Sequence, residues 1–320
     1  MIGVLWHELF TKHLEGYTHV ERPQRVEAIL ARIRKSPIAA SLLFVQAEPA
    51  KIEWLERVHD HEYVRGILSL EIEEAVILDW GDTVATKASP AAALHAAGAG
   101  VQAARLVLEG KISSAFCCVR PPGHHAERDR AMGFCIFNNI AIAAAHLIEA
   151  EKLRRVAIVD WDVHHGNGTE RVFIEDNRVL YISLHQYPHY PGTGHAQTIG
   201  TGKGRGFTIN LPMGAGAGDR EYLAAFNDRI IPALDEFKPE FILISAGFDG
   251  HEEDPLSGTV LTTSAFRTMT ALVKASAEKH CRGRIVSFLE GGYDLQALAE
   301  SVEEHIAVLA TGAGGKVDSR

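Results

Sequence analysis

The sequence predicts a single-domain α/β protein of three layers, with helices on both faces of a central, mostly parallel β-sheet. Short apolar and β-branched runs alternate along the chain with segments of helical periodicity, as in proteins built from strand–helix–strand units. The chain has 320 residues, 46% of them hydrophobic, so it can bury a core large enough for this fold. We place one domain over residues 1–310 and expect residues 311–320 to be frayed.

Six short, apolar segments are predicted to be buried strands, because their composition is typical of strands covered on both faces. They lie at residues 113–119, 155–163, 178–185, 207–213, 240–249 and 284–292. Helices are predicted at residues 221–237, where large apolar side chains recur at helical spacing, and at residues 264–280, with Ser264 as the N-cap. Two earlier helices are predicted to begin at Pro23 and at Ser89-Pro90.

Composition and charge disfavour several classes of function. A net charge of -9 disfavours binding to a nucleic-acid backbone and suits a cationic peptide or polyamine. No apolar run approaches the roughly 20 uncharged residues that span a bilayer, and no basic and then apolar leader opens the chain. The glycine-rich residues 200–206 lack the ending of a nucleotide-binding loop, so we interpret them as a surface loop. The sequence therefore predicts a cytoplasmic protein without nucleic-acid or membrane partners, and it leaves a homo-oligomer open.

Reactive residues follow four of the predicted strands. The first strand leads into His124 and His125 after a rigid Pro-Pro-Gly turn, and the second ends in Asp160, Asp162 and His164, which alternate along the backbone. The fifth ends in Asp249, and the sixth in Gly291-Gly292-Tyr293. Any one of these is commonly a cap, turn or core residue. Ligands bind beyond the carboxyl ends of the strands in open α/β sheets, so together these residues predict a site at that edge.

Asp162, His164 and Asp249 form an oxygen, nitrogen, oxygen ligand set that leaves a fourth position open for water, as a catalytic zinc requires. Iron(II) or manganese would also suit these ligands. A general base must then take a proton from water, and His124 and His125 offer two imidazoles for that purpose.

Two further residues could orient these imidazoles, and a third could stabilise developing charge. Asp160 could orient one histidine and Asn167 the other, and the two imidazoles should then differ in basicity because a carboxylate favours the charged form more than an amide does. Tyr293, on its Gly-Gly turn, could donate to a developing oxyanion.

The sequence is similar to the histone deacetylase family of the arginase–deacetylase fold, and particularly to the class II branch with its bacterial histone-deacetylase-like amidohydrolases. The similarity runs through nearly the whole chain, in the motifs ERPQR (21–25), VHDHEYV (58–64), RPPGHHA, GFCIFNN (133–139), DWDVHHGNG, ISLH, PGTG, SAGFD and LEGGYDL. It implies an eight-stranded parallel sheet and hydrolysis of an N-acyl-lysine-type amide.

The resemblance also implies roles for individual residues. It makes Asp162, His164 and Asp249 the zinc ligands, His125 the principal general base and acid, and His124 an electrostatic partner held by Asp160. Substrate-binding positions fall on Gly133, on Phe134 and Tyr190 as two walls of a narrow tunnel, and on Asp82 as a rim residue that clamps the substrate backbone. A structural potassium ion would use Asp160, Asp162, His164, Ser183 and Leu184, largely through carbonyl oxygens.

Three positions refine this comparison. Asn167 stands where class I enzymes have aspartate, which favours class II, and Tyr293 is present where one poorly active subgroup has histidine. Polyamine deacetylases of the class II branch place a glutamate seven residues after the metal-binding aspartate, and this chain has Leu256 there. Cys135 adjoins the tunnel and is expected to be a buried thiol.

Three alternatives remain open. A two-manganese ureohydrolase would need additional carboxylates, where this sequence has His251 and His165. A non-catalytic acyl-lysine-binding module would retain the pocket without turnover. An enzyme of the same reaction class could act on acetylpolyamines or other small N-acyl amines, although Leu256 would leave the distal ammonium of a polyamine without a compensating charge.

Overall fold

Eight parallel strands form the central sheet in the computed structural model, which describes residues 1–81 and 83–311. In chain order the strands are β1 (Ile2–Trp6), β2 (Leu42–Gln46), β3 (Val76–Ile77), β4 (Val84–Ala85), β5 (Ser114–Cys117), β6 (Val156–Asp160), β7 (Val179–Gln186), β8 (Thr208–Met213), β9 (Phe241–Ala246) and β10 (Ile285–Leu289). The sheet order is β2-β1-β5-β10-β9-β6-β7-β8, and β3 and β4 form a separate antiparallel pair. The predicted α/β class with an eight-stranded parallel sheet is confirmed.

Six of these strands coincide with the predicted segments, but each ends earlier or begins later than predicted. At the carboxyl ends of β5, β6, β9 and β10, the predicted strand residues that lie beyond the observed strands belong instead to the loops of the candidate site. Strands β5, β6, β9 and β10 are buried along their whole length because helices cover both faces. Strands β1 and β2 are not among the predicted segments, and β2 lies at the sheet edge with Leu43 exposed.

Eleven helices surround the sheet in the described part of the chain. They are α1 (Leu9–Lys12), α2 (Gln24–Lys35), α3 (Ile52–Leu55), α4 (His61–Leu68), α5 (Ser89–Leu108), α6 (Asn139–Glu149), α7 (Asn167–Phe173), α8 (Asp219–Ala225), α9 (Ile231–Phe237), α10 (Thr263–Cys281) and α11 (Leu295–Ala310). The helix predicted over residues 221–237 is divided, since a π-helical turn at Phe226–Ile230 separates α8 from α9. Pro232 explains the division, because proline lacks the N–H of a regular helix and its ring crowds the preceding turn. Helix α10 begins one residue before the predicted cap Ser264, with Thr262 at the N-cap.

Helix α5 is longer and more apolar than expected, because no segment long enough to span a membrane was predicted from the sequence. By length and composition alone this helix of 20 residues could cross a membrane, since an 18-residue segment of it has a mean hydropathy of 1.2. In the fold 61% of that segment is buried. A Cβ atom at Gly100 would lie 2.4 Å from the Phe288 ring of β10, so the helix packs directly on the sheet. Its apolar composition is therefore explained by burial in the core.

The predicted site lies where four neighbouring strands end. Strands β5, β10, β9 and β6 are adjacent in the sheet, and all four run in the same direction. The loops that follow them therefore meet at one edge. One hydrophobic core cluster has members from Ile2 to Leu309. Residues 312–320 of the predicted frayed end lie outside the described residues.

Candidate active site

Two carboxylates and one imidazole converge beyond the ends of β6 and β9. His164 Nδ1 lies 3.1 Å from Asp162 Oδ1 and 3.1 Å from Asp249 Oδ2. One ligand atom from each of the three residues lies within 4.8 Å of the others, and no second group of this kind occurs within residues 1–81 and 83–311. Burial opposes a charge on His164, but the two carboxylates raise the pKa of its imidazole to about 10. The cluster therefore attracts positive charge, which suits a divalent cation held by these donors.

Glycines make the close approach of the two carboxylates possible. A Cβ atom at Gly291 would lie 1.9 Å from Asp249 Oδ2, and one at Gly247 would lie 2.2 Å from Asp162 Oδ2. Backbone amides orient the same side chains: Gly291 N donates to Asp162 Oδ2 at 2.7 Å, and Val163 N donates to Asp249 Oδ1 at 3.1 Å. The loop after β10 thus holds the carboxylates as well as supplying Tyr293.

The two adjacent histidines have different partners. His124 Nδ1 lies 3.1 Å from Asp160 Oδ2, whereas His125 Nδ1 lies 2.7 Å from Asn167 Oδ1. Glu127 orients the Asn167 amide by accepting from Nδ2 at 2.9 Å, so the carbonyl oxygen faces His125. Because that oxygen can only accept, His125 carries its proton on Nδ1 and keeps Nε2 free to act as a base.

These partners separate the basicities of the two imidazoles. Burial disfavours the charged form of His124, but Asp160, Asp162 and Glu290 outweigh it and raise the pKa of His124 to about 10. Burial and then the nearby His124 lower the pKa of His125 well below its usual range. At neutral pH the pair therefore consists of one imidazolium and one neutral imidazole.

A cavity of about 780 Å³ leads from the surface to these residues. It is lined by Thr18, His19, Val20, Arg22, Pro122, His124, His125, Gly133, Phe134, Asp162, His164, His189, Tyr190, Pro255, Leu256, Gly291 and Tyr293. Phe134 and Tyr190 both line this cavity, and the Tyr190 ring meets the His125 ring edge-on at 5.1 Å. Glycine is required at position 133, because a Cβ atom there would lie 2.4 Å from the His125 ring. Leu256 lies on the cavity wall, half-buried.

Tyr293 packs against Arg25, which belongs to a buried network of charged side chains. Its side chain is buried, and the Arg25 guanidinium carbon lies 4.9 Å from the ring centroid. Arg25 also donates to Gly292 O at 2.6 Å and to Glu21 Oε1 at 2.9 Å, and Arg120 binds the same Glu21 carboxylate. Burial raises the pKa of Tyr293 well above its usual range, so the phenol keeps its proton and can donate it in a hydrogen bond.

Three residues of this region were not singled out from the sequence. Glu290 accepts from Gly123 N at 2.7 Å and from His124 N at 3.2 Å, and so holds the histidine pair from below; burial raises its pKa to about 7. His189 stacks on His164 with ring centroids 4.9 Å apart, and Asp254 accepts from Tyr293 N at 2.7 Å. The position of Glu290, directly before Gly-Gly-Tyr at a strand end, is the signal that could have identified it.

The remaining predicted positions lie beside the cavity or outside the described residues. Cys135 is buried and donates to Gly133 O at 3.3 Å. Ser183 pairs in register with Asp160, and both Ser183 and Leu184 are fully buried within β7. Asp82 lies outside the described residues.

His165 and His251, which stand where a ureohydrolase would need carboxylates, have partners of their own. His165 Nδ1 lies 2.7 Å from Thr193 Oγ1, and His251 Nε2 lies 3.1 Å from Thr263 Oγ1. Neither residue belongs to the carboxylate–imidazole cluster found in the described part of the chain.

The eight-stranded parallel sheet with its covering helices is that of the arginase–deacetylase fold. The crystal structure of the HDA15 HD domain matches with a TM-score of 0.91 at 36% identity, over 97% of this chain and 88% of that one. The chain belongs to the histone deacetylase family, since the histone deacetylase domain matches residues 19–309. The predicted family is therefore confirmed.

Named relatives include enzymes with different substrates. A probable deacetylase of Archaeoglobus fulgidus is 43% identical over 296 residues, which cover 92% of this chain and 82% of that protein. Histone deacetylase 10, chloroplastic, of Oryza sativa subsp. japonica is 40% identical over 89% of this chain and 68% of its own length. Polyamine deacetylase HDAC10 of Homo sapiens is 41% identical over 88% of this chain and 43% of its own length. Membership therefore supports hydrolysis of acyl amides in general.

Proposed function

We propose that this protein is a zinc-dependent deacetylase that hydrolyses the N-acyl amide of acyl-lysine side chains in proteins or peptides. The observation that carries the proposal is a largely apolar cavity whose base brings together a carboxylate–imidazole triad, a neutral imidazole and a protonated phenol. An extended acyl-lysine side chain suits such a cavity, because its methylene groups need an apolar wall and its amide must reach polar groups at the base.

The donor set fits one zinc ion, held by Asp162, His164 and Asp249 with a position left for water and substrate. Zinc would supply Lewis acidity, which polarises a carbonyl oxygen and makes water more acidic.

The structural potassium site at Asp160, Asp162, His164, Ser183 and Leu184 is part of the same proposal. It is supported by the register that brings Asp160 beside Ser183.

The histidine pair divides the proton transfers. His125 accepts a proton from the attacking water at Nε2, because Asn167 holds its Nδ1 proton and its depressed pKa keeps it neutral. The same imidazole then returns the proton to the leaving amine. His124 remains an imidazolium beside Asp160 and contributes a fixed positive charge next to the reacting atoms.

Tyr293 stabilises the oxyanion that forms when water adds to the amide carbonyl. Its phenol stays protonated, and its backbone is held at two points, by Arg25 through Gly292 O and by Asp254 through its own N–H. A donor held in place before the reaction pays no reorganisation energy during it. Phe134 and Tyr190 would flank the methylene chain of the substrate, and Gly133 lines the same cavity. The role of Asp82 as a rim residue that clamps the substrate backbone stays a prediction from the sequence.

The charges around the cavity favour acyl-lysine over an acetylpolyamine. Leu256 supplies an apolar wall, and Asp162, at the base, is the only carboxylate among the lining residues that the structure describes. Arg22 also lines the cavity and would repel a distal ammonium. Acetylpolyamines are nevertheless the second candidate, because the human relative is named as a polyamine deacetylase.

A substrate panel with controlled metal content tests the proposal. The zinc-loaded protein should cleave an acetyl-lysine peptide with a higher kcat/KM than acetylputrescine, and chelation should abolish turnover until zinc is returned. A tenfold preference for acetylputrescine, about 1.4 kcal/mol of transition-state discrimination, would replace lysine by polyamine as the substrate. Binding of the acetyl-lysine peptide without turnover would indicate the non-catalytic module, and an absolute need for two ions per chain would indicate dinuclear chemistry.

The cellular setting is predicted from the sequence alone. A cytoplasmic location stays a prediction, and the rice relative is named as chloroplastic. The absence of nucleic-acid partners is likewise a prediction from the acidic charge, and the absence of membrane partners is a prediction from the lack of a long uncharged run; the sequence leaves a homo-oligomer open.

A further inference from the structure

We infer that Asp254 is a positioning residue that couples the Tyr293 loop to the cavity wall at Leu256. Its carboxylate is buried, with 7% of the residue exposed, and its partners among the described residues are all backbone amides. One oxygen, Oδ2, accepts from Tyr293 N at 2.7 Å and from Asp294 N at 3.4 Å. The other, Oδ1, accepts from Leu256 N at 3.0 Å. One side chain therefore joins the loop after β9 to the loop after β10.

One oxygen of this carboxylate lies at the start of helix α11. Tyr293 and Asp294 directly precede α11, a helix of 16 residues, and Asp294 is its N-cap. Backbone N–H groups at the start of a helix lack partners within the helix, and Asp254 Oδ2 supplies one to Asp294 N from a neighbouring loop. The Tyr293 backbone is thus held from outside its own loop.

Leu256 is held a second time, at its carbonyl oxygen. His189 Nε2 lies 3.0 Å from Leu256 O, and because a carbonyl can only accept, Nε2 must carry the proton and donate. The same imidazole stacks on His164 at an interplanar angle of 20°. Leu256 is therefore fixed at both of its backbone polar groups, by Asp254 at the N–H and by His189 at the carbonyl.

The hydrogen bonds made by Asp254 and by His189 have separable consequences. Loss of Asp254 frees both the Tyr293 backbone and Leu256, so it should affect the chemical step and the choice of substrate together. Loss of the His189 donor frees the Leu256 side alone, so it should change the choice of substrate while the Tyr293 loop keeps its protection. The kinetic part of this inference rests on the proposed function, whereas the coupling between the loops does not.

Asp254→Asn is the direct test, since one amide oxygen cannot serve both loops and the new NH₂ group opposes one of the N–H donors. We expect kcat to fall at least tenfold on both the acetyl-lysine peptide and acetylputrescine at unchanged zinc content, because small misplacements of reacting groups are costly. The ratio of the two kcat/KM values should change at least threefold. Amide hydrogen exchange should accelerate both at residues 255–258 and at residues 291–294.

Two further variants separate coupling from general loosening. Asp219→Asn is the matched control, because Asp219 accepts from Thr262 N at 2.9 Å and so anchors the far end of the same loop without contacting Tyr293. It should leave kcat within twofold of wild type. His189→Phe keeps the stacked ring and removes the donor, so it should accelerate exchange at residues 255–258 alone and change the substrate ratio.

Several outcomes would overturn the inference. These are a kcat within threefold of wild type in zinc-loaded Asp254→Asn, accelerated exchange in only one of the two segments, or an equal loss of kcat in Asp219→Asn. If Asp254→Asn does not fold, exchange in the wild-type protein decides: segments 255–258 and 291–294 must both be protected, and unprotected exchange in either refutes the coupling. A wild-type protein that turns over neither substrate would refute the proposed function and leave the exchange measurements to test the coupling.

Discussion

Replacing Tyr293 by phenylalanine isolates the contribution of one hydroxyl group. The hydroxyl has no hydrogen-bond partner among the described residues, although the ring is buried and packs beneath the cavity. The substitution therefore breaks no hydrogen bond within the protein, and we expect the free energy of unfolding to change by less than about 0.5 kcal/mol. For a chain of this size that corresponds to a shift in Tm of roughly 2 °C or less.

Catalysis should respond very differently. Loss of one oxyanion donor typically removes about 2.7–4 kcal/mol of transition-state stabilisation, so kcat should fall roughly 100- to 1,000-fold. Steady-state kinetics on an acetyl-lysine peptide would be measured together with zinc content and thermal unfolding. Tyr222→Phe is the matched control, since it removes another buried tyrosine hydroxyl from α8, outside the residues that line the cavity, and should leave kcat unchanged. A zinc-loaded Tyr293→Phe variant that keeps more than a tenth of wild-type kcat would refute the assigned role.

Three other substitutions test the surroundings of the site. Gly291→Ala would place a Cβ 1.9 Å from Asp249 Oδ2, so zinc affinity should fall roughly 10- to 100-fold by competition with a chelator, whereas Gly66→Ala, with open space around it, should not change it. Leu256→Glu should raise kcat/KM for acetylputrescine relative to the peptide, and an unchanged ratio would remove Leu256 from substrate selection. Burial lowers the pKa of His305 to about 3, below its unfolded value of about 6.5, so its contribution to stability is present above pH 6.5 and is lost as the pH falls. Urea unfolding at pH 7 and 5 should show wild type losing about 2 kcal/mol more than His305→Gln, and equal losses would contradict the argument.

The residues of the candidate site could be predicted from the sequence because they follow strand ends. In a parallel sheet the carboxyl ends of the strands share one edge, so His125, Asp162, Asp249 and Tyr293 could be assigned to one site before their separation in space was known. The alternation of Asp160, Asp162 and His164 also follows from backbone periodicity alone. The different partners of the two histidines were expected for the same reason, since Asp160 and Asn167 lie close to the same strand end.

Contacts between loops could not be predicted in this way. Glu290, Asp254 and His189 act on groups 166, 39 and 67 residues away in the sequence, and nothing in their local patterns indicates which amide or carbonyl they meet. The edge strand β2 and the π-helical turn at Phe226–Ile230 were missed as well. Strand β2 is a short, half-exposed run that lacks the apolar pattern of a buried strand. At the π-helical turn, a single proline interrupts a sequence pattern that is otherwise helical.

The sequence by itself determined the family, the fold class and the set of polar side chains gathered at one sheet edge, because periodicity and motif spacing are properties of the chain. Only the tertiary structure decided how the surroundings shift the pKa values of His124 and His125 in opposite directions, and how Tyr293 and Leu256 are held. Those properties depend on burial and on distances of about 3 Å between groups from different loops, where a hydrogen bond or a pKa shift falls off steeply with separation. Such distances are set when the helices and strands pack together.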